Sequence, residues 1–147
     1  MAYWLMKSEP DVFSFEDLVE KTAKGEAVEW HGVRNYAARN NMRAMAVGDE
    51  AFFYHSNIGK EVVGIMEVIK LAHPDPKDET GVWKCVDMRA VEDIPNPVTL
   101  VAIKANPKLA DMALVKYSRL SVQPVTPAEW AEVCRMGGLM APKKSKP

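Results

Sequence analysis

"GDEAFFYHSNIGKEVVGIMEVIKL", residues 48–71, carries the clearest fold signal in the chain. Gly48-Asp49 is a turn signal, and residues 50–56 and 62–71 have the aromatic, apolar and β-branched content of strands. The polar stretch between them, residues 57–60, completes a predicted β-hairpin. The apolar runs are far shorter than the roughly 20 residues a membrane span requires, so the hairpin belongs to a globular core and the chain is expected to be soluble.

Working outward from the hairpin, "AYWLMK" (residues 2–7) is a further strand, stopped by Pro10. Ser14 is the expected N-cap of a short helix, "FEDLVEK", whose acids sit in the first turn, where the helix dipole favours them. "WHGVRNYAARNNMRAM" (residues 30–45) reads mostly as helix. Ala38, Met42 and Met45 share one face by spacing, which leaves Asn35, Arg39 and Arg43 stacked on another. Downstream, residues 73–81 have loop composition, and residues 83–94 alternate Val86, Met88 and Ala90 against Asp87 and Arg89, as a half-buried strand does. Residues 97–115 contain two predicted helices, one capped by Thr99 and one begun at Pro107. Residues 117–125 return to strand. Thr126-Pro127-Ala128-Glu129 is a capping box with Pro at the first helical position, and Gly137-Gly138 supplies the stop. Short strands interleaved with short helices in no βαβ rhythm predict an α+β domain, a small curled sheet or barrel with flanking helices.

With 147 residues, 48% of them hydrophobic, the chain is one ordinary domain. A net charge of −1 gives no global field for nucleic acid, so any such binding rests on a local patch. Cys85 and Cys134 are expected to be reduced core thiols of a cytoplasmic protein. The eight glycines form no phosphate-cradling motif, so no cofactor is implied. His31, His55 and His73 are not spaced as metal ligands, and no metal is expected. The polar, Pro-rich residues 142–147 read as a disordered basic tail behind a domain of residues 1–141.

Two chemistries remain open. Lys7 and Glu9 project on one side of a strand end by alternation and could share acid/base work on either side of Ser8, or form a solvated strand end. In residues 30–45, Trp30 and Tyr36 could stack on a flat ring, Asn35 and Asn40 could read a base edge, and Arg34, Arg39 and Arg43 could take phosphates. The alternative is a core tryptophan beside a solvated helix face. "YHSN" (54–57) and "YSRLSV" (117–122) add polar clusters, in which Arg119 could instead be the structural partner of a carboxylate.

"YWLMKSEP", "EWHGVRNYAARNNMRAM", "GDEAFFYHSN", "PVTLVAIKANPKLADMALV" and "SRLSVQPVTPAEW" resemble, in order, the signature segments of the EVE domain, over residues 3–139. Ala37 stands where members often carry Gln, and His31 where an acid is common. The resemblance implies a PUA-like fold, a small mixed β-barrel with peripheral helices, related to YTH and ASCH domains. It also implies a non-enzymatic reader of modified DNA or RNA, often of a modified cytosine in DNA. Its flipped base would lie in an aromatic-walled pocket. Trp30 would be the wall, Asn35 with Ser56-Asn57 would read base edges, and Lys7-Ser8 would form the rim. Ser118, Arg119, Leu120 and Ser121 would close the other side, and Arg34, Arg39 and Arg43 would hold phosphates or brace the pocket. On this reading Trp30→Ala weakens binding about ten- to a hundredfold and leaves the fold intact. The other readings are a small hydrolase of a modified base or nucleoside using Lys7 and Glu9, and a peptide-binding module.

Overall fold

The computed structural model describes residues 2–139; the predicted tail lies outside them. Six strands are present: β1 (Tyr3–Ser8), β2 (Val28–Glu29), β3 (Glu50–His55), β4 (Glu61–Pro74), β5 (Lys84–Thr99) and β6 (Val122–Val125). The helices are α1 (Phe15–Ala23), α2 (Tyr36–Ala44), α3 (Leu100–Ala105), α4 (Ala113–Lys116) and α5 (Pro127–Met136), with a 3-10 turn at Pro107–Leu109. The strands form one sheet in the order β2-β5-β4-β3-β1-β6, in which β1 and β3 are parallel and all other neighbours antiparallel.

The predicted hairpin is β3–β4, and its turn is tight enough to need left-handed backbone at Asn57 (φ 67°), Gly59 (φ 86°) and Lys60 (φ 48°). Leu5, Phe52 and Tyr54 point into one core, and Met6, Ala51 and Phe53 into a second on the opposite face. Both faces of β1 and β3 are therefore buried, which is why these strands read as nearly continuous apolar runs. One face is covered by α1, α2 and the Trp30–Val33 segment, the other by α3, the 3-10 turn, α4 and α5. On the second face Trp130 stacks between Tyr3 (4.4 Å) and Phe52 (3.9 Å).

Gly64 of β4 is where α1 meets the sheet. A Cβ there would lie 2.2 Å from Cζ of Phe15, so only glycine admits that ring. Gly64→Ala is expected to displace Phe15 and cost about 1–3 kcal/mol, read from the urea midpoint; an unchanged midpoint would mean the ring relocates freely.

The sheet is open, which differs from the expected barrel. The edge strand β2 has two residues, too few to reach β6, and α2 covers the gap instead. Asn41 Nδ2 donates to the carbonyl of Val122 on β6 (2.6 Å), and Arg39 Nη1 donates to the carbonyl of Val82 just before β5 (3.1 Å). A helix laid over a sheet edge satisfies part of what barrel closure would satisfy.

Four local expectations are also corrected. Residues 30–34 form no regular element, with Gly32 at φ 84°, and α2 begins only at Tyr36, because Asn35 is its N-cap, with Oδ1 accepting from Ala38 N (2.9 Å). The expected loop at 73–81 starts inside β4, and its Asp75 is buried. The helix expected from Pro107 is a 3-10 turn followed by a separate α4, and residues 117–121 form turns ahead of a shorter β6. Ser14 caps α1 as expected and adds a capping box with Asp17, the expected box at Thr126 with Glu129 is present, and Cys85 and Cys134 are buried free thiols.

Candidate functional site

A cavity of about 470 Å³ opens where the C-terminal end of β1 meets the segment after β2; Lys7, Ser8, Val12, Phe13, Lys21 and Trp30 are among its lining residues. Its volume lies in the roughly 300–1,000 Å³ range of ligand sites. Trp30 is placed by a hydrogen bond from its backbone N to the Val86 carbonyl (2.7 Å). Phe53 and Phe13 meet the indole nearly at right angles (82° and 84°, centroids 5.4 and 6.4 Å away), and only 8% of the residue remains exposed. Trp30 is therefore core anchor and cavity wall together.

The rim is fixed from several directions. Ser8 Oγ donates to the Phe13 carbonyl (2.6 Å), which orders the loop that lines the cavity. Ser56 N donates to the Ser8 carbonyl (2.9 Å), and Asn57 Nδ2 donates to Glu9 (3.4 Å), so Ser56 and Asn57 support the rim from the β3–β4 turn without lining the cavity. Lys7 N donates to the Ser121 carbonyl (2.9 Å), and Lys7 Nζ donates to the Ser118 carbonyl (2.7 Å). Burial lowers the pKa of the Lys7 ammonium. Lys7 and Glu9, which alternation left as a possible acid/base pair, thus take different hydrogen-bond partners.

A second cavity, about 360 Å³, is lined by Asn35, Ala37, Tyr117, Ser118, Arg119 and Leu120. Trp30 and Asn35, expected in one pocket, line different cavities, and Lys7 reaches from the rim of one to a backbone carbonyl of the other. The turn of the second is held by Gln123, a fully buried residue that sequence reasoning missed, whose Nε2 donates to the carbonyls of Leu120 (2.8 Å) and Tyr117 (3.3 Å). Arg119 is exposed, and among the described residues no carboxylate pairs with it, so it is not the structural ion-pair partner considered above.

The three arginines diverge. Arg34 Nη1 donates to Asp75 Oδ2 (3.0 Å), with its guanidinium 5.6 Å from the Trp83 ring centre. Arg39 lies over Tyr36 (5.0 Å), and Tyr36 packs on Trp83 (4.9 Å). Arg43 is exposed. Asp75 is the hub: its carboxylate accepts from Gly32 N (2.8 Å), Lys77 N (2.8 Å) and Arg34. Burial opposes its ionisation, and these three donors overcome that cost and hold its pKa below the ordinary carboxylate range.

Spacing along the chain also hid a contact across strands. Glu29, His73 and Cys85 come together on β2, β4 and β5, with His73 Nε2 2.8 Å from Asp87 Oδ1. Burial first, then the nearby carboxylates of Glu29, Asp75 and Asp87, pushes the Cys85 thiol up to about 12.

A six-stranded α+β domain with a tryptophan-walled cavity at the C-terminal end of β1 is the class of protein defined by this arrangement. The chain belongs to the EVE domain family, whose model matches residues 2–136. The solved structure of Rpa0253 from Rhodopseudomonas palustris is 58% identical, covers 94% of each chain and superposes with a TM-score of 0.88. Human thymocyte nuclear protein 1 is 35% identical over 88% of this chain and 71% of its own length. The crystal structure of human THYN1 protein in complex with 5-methylcytosine-containing DNA is 35% identical, covers 93% of this chain and 98% of that one, and has a TM-score of 0.84. Among the described residues no helix is long and apolar enough to cross a membrane.

Proposed function

We propose that the chain reads a modified base, a modified cytosine in DNA, by taking the flipped nucleotide into the cavity beside Trp30. The observation that carries this reading is the placement of Trp30, locked by Phe13 and Phe53 and bordered by Lys7 and Ser8. The human relative's complex with 5-methylcytosine DNA supports the same ligand class. Flipping costs a few kcal/mol, and stacking on an aromatic wall returns roughly 1–3 kcal/mol of it. Lys7 contributes a donor at the rim, Asn35 and the Ser118–Ser121 turn accept the neighbouring nucleotide in the second cavity, and Arg43 faces solvent where a phosphate can reach it. Arg34 braces the pocket through Asp75.

The test is equilibrium binding to short DNA and RNA carrying one modified base, beside unmodified controls, with mass spectrometry of the oligonucleotide afterwards. Selective binding of intact 5-methylcytosine DNA is expected, and Lys7→Gln is expected to weaken it about tenfold through loss of one charged donor. Preference for modified RNA would move the carrier. A chemically altered base would replace the reader with the hydrolase reading, in which the lowered pKa of Lys7 becomes the relevant property.

A further inference from the structure

We propose that Glu29, His73 and Cys85 form a binding site for one divalent transition-metal ion of the zinc class, with Asp87 orienting the imidazole. The site goes beyond base reading and does not depend on it. Its residues sit on three adjacent strands: His73 pairs with Cys85 across β4–β5, and Glu29 pairs with Asp87 across β2–β5. One ligand atom from each of Glu29, His73 and Cys85 lies within 4.8 Å of the other two.

His73 Nε2 is held by Asp87 at 2.8 Å, Nδ1 stands 3.9 Å from Glu29 Oε2, and Cys85 Sγ lies 3.8 Å from both ring nitrogens. Ligand atoms bound tetrahedrally to zinc at about 2.0–2.3 Å stand roughly 3.3–3.7 Å apart, so the two His73 pairs close by a few tenths of an ångström and the Glu29–Cys85 pair, within 4.8 Å, by up to about 1.5 Å, a shift open to the exposed Glu29 side chain. A carboxylate holding the distal nitrogen of a ligating imidazole is the support that fixes the tautomer at such sites. Sulfur with imidazole selects zinc, cobalt and their neighbours over calcium or magnesium, which prefer oxygen alone. Binding exchanges the thiol proton, released to solvent, for a metal–sulfur bond. The ion also offsets the negative charge that Glu29 and Asp87 bring to a poorly hydrated corner. Glu29, with 45% of its side chain exposed, gives the ion a path from solvent, and three protein ligands leave one position for water.

The site lies next to the Trp30 wall. Glu29 precedes Trp30, and Cys85 precedes Val86, whose carbonyl holds Trp30 N. An ion here ties the short β2 to the β4–β5 pair, so it is expected to raise the melting temperature.

The experiment uses the full chain, reduced and stripped with a chelator, titrated with Co²⁺ alone and then with Zn²⁺. The expected result is one Co²⁺ per chain with a sulfur-to-cobalt charge-transfer band, displaced by Zn²⁺, and a higher melting temperature with Zn²⁺. Cys85→Ser is expected to abolish the band. Glu29→Gln changes an exposed side chain, keeps the metal-free melting temperature, and is expected to weaken binding by at least about tenfold; it decides the question if Cys85→Ser does not fold. Absence of the band in the wild type, or Co²⁺ affinity unchanged in Glu29→Gln, overturns the proposal and leaves the cluster as a hydrogen-bonded structural contact.

Discussion

Trp30→Ala is expected to lower stability by about 3–5 kcal/mol, a drop of roughly 10 °C or more in the melting temperature of a domain this size. The sequence reading had this variant keep its fold, and the burial of Trp30 against Phe13 and Phe53 reverses that expectation. Removing the indole opens a hole between the β1–β3 sheet and the loop that lines the cavity. Loss of base binding by Trp30→Ala therefore says nothing about stacking. Trp30→Phe separates the two roles: it keeps an aromatic plug with a smaller face, so it is expected to lose no more than about 1–2 kcal/mol of stability and to bind the modified base about five- to tenfold more weakly. Urea titrations beside binding curves at a temperature where every variant is folded provide the check. A Trp30→Ala midpoint within 1 kcal/mol of wild type would mean the indole is not a core anchor, and undiminished binding by Trp30→Phe would mean the base does not stack on it.

Local chemistry was legible in the sequence, and long-range pairing was not. The hairpin followed from two β-rich runs around a polar turn, and α5 from a capping box whose partners are three residues apart. The α1 N-terminus was legible from Ser14 as a capping residue followed by the first-turn acids Glu16 and Asp17. What failed depends on contacts between distant segments. The cover of α2 over β6 needs Asn41 beside Val122, the second cavity needs Gln123 beneath a turn that looked like strand, and the cluster at His73 needs three strands in register. The candidate site shows the same division. Trp30, Lys7 and Ser8 do meet at one cavity, whereas Asn35, whose composition suited a base edge, has its oxygen engaged in capping α2. An asparagine before a helix reads equally as cap or as ligand, and only the fold decides between them.

Asp75 shows how much one such hidden contact is expected to weigh. It sits in a stretch whose composition is that of a solvated loop, yet its carboxylate is buried under three donors, from Gly32, Lys77 and Arg34. Asp75→Ala leaves two backbone N–H groups and a guanidinium without their acceptor, and is expected to cost about 3 kcal/mol. The loss extends to function, because Gly32 follows Trp30 by two residues and Arg34 is the other end of the same tether; binding of modified DNA is expected to fall about tenfold or more at temperatures where the variant is folded. Acid provides an independent check. The folded-state pKa of Asp75 lies below its unfolded value, so its contribution is complete above the ordinary carboxylate pKa of about 4 and is lost as pH falls through the lowered folded value. Asp75→Asn has no such titration, so the stability gap between wild type and Asp75→Asn should be constant from neutral pH to about 5 and narrow steadily below about 4. A gap that stays constant to pH 2 would show that the carboxylate's charge does not hold this corner, and that the backbone turn alone positions the segment carrying Trp30.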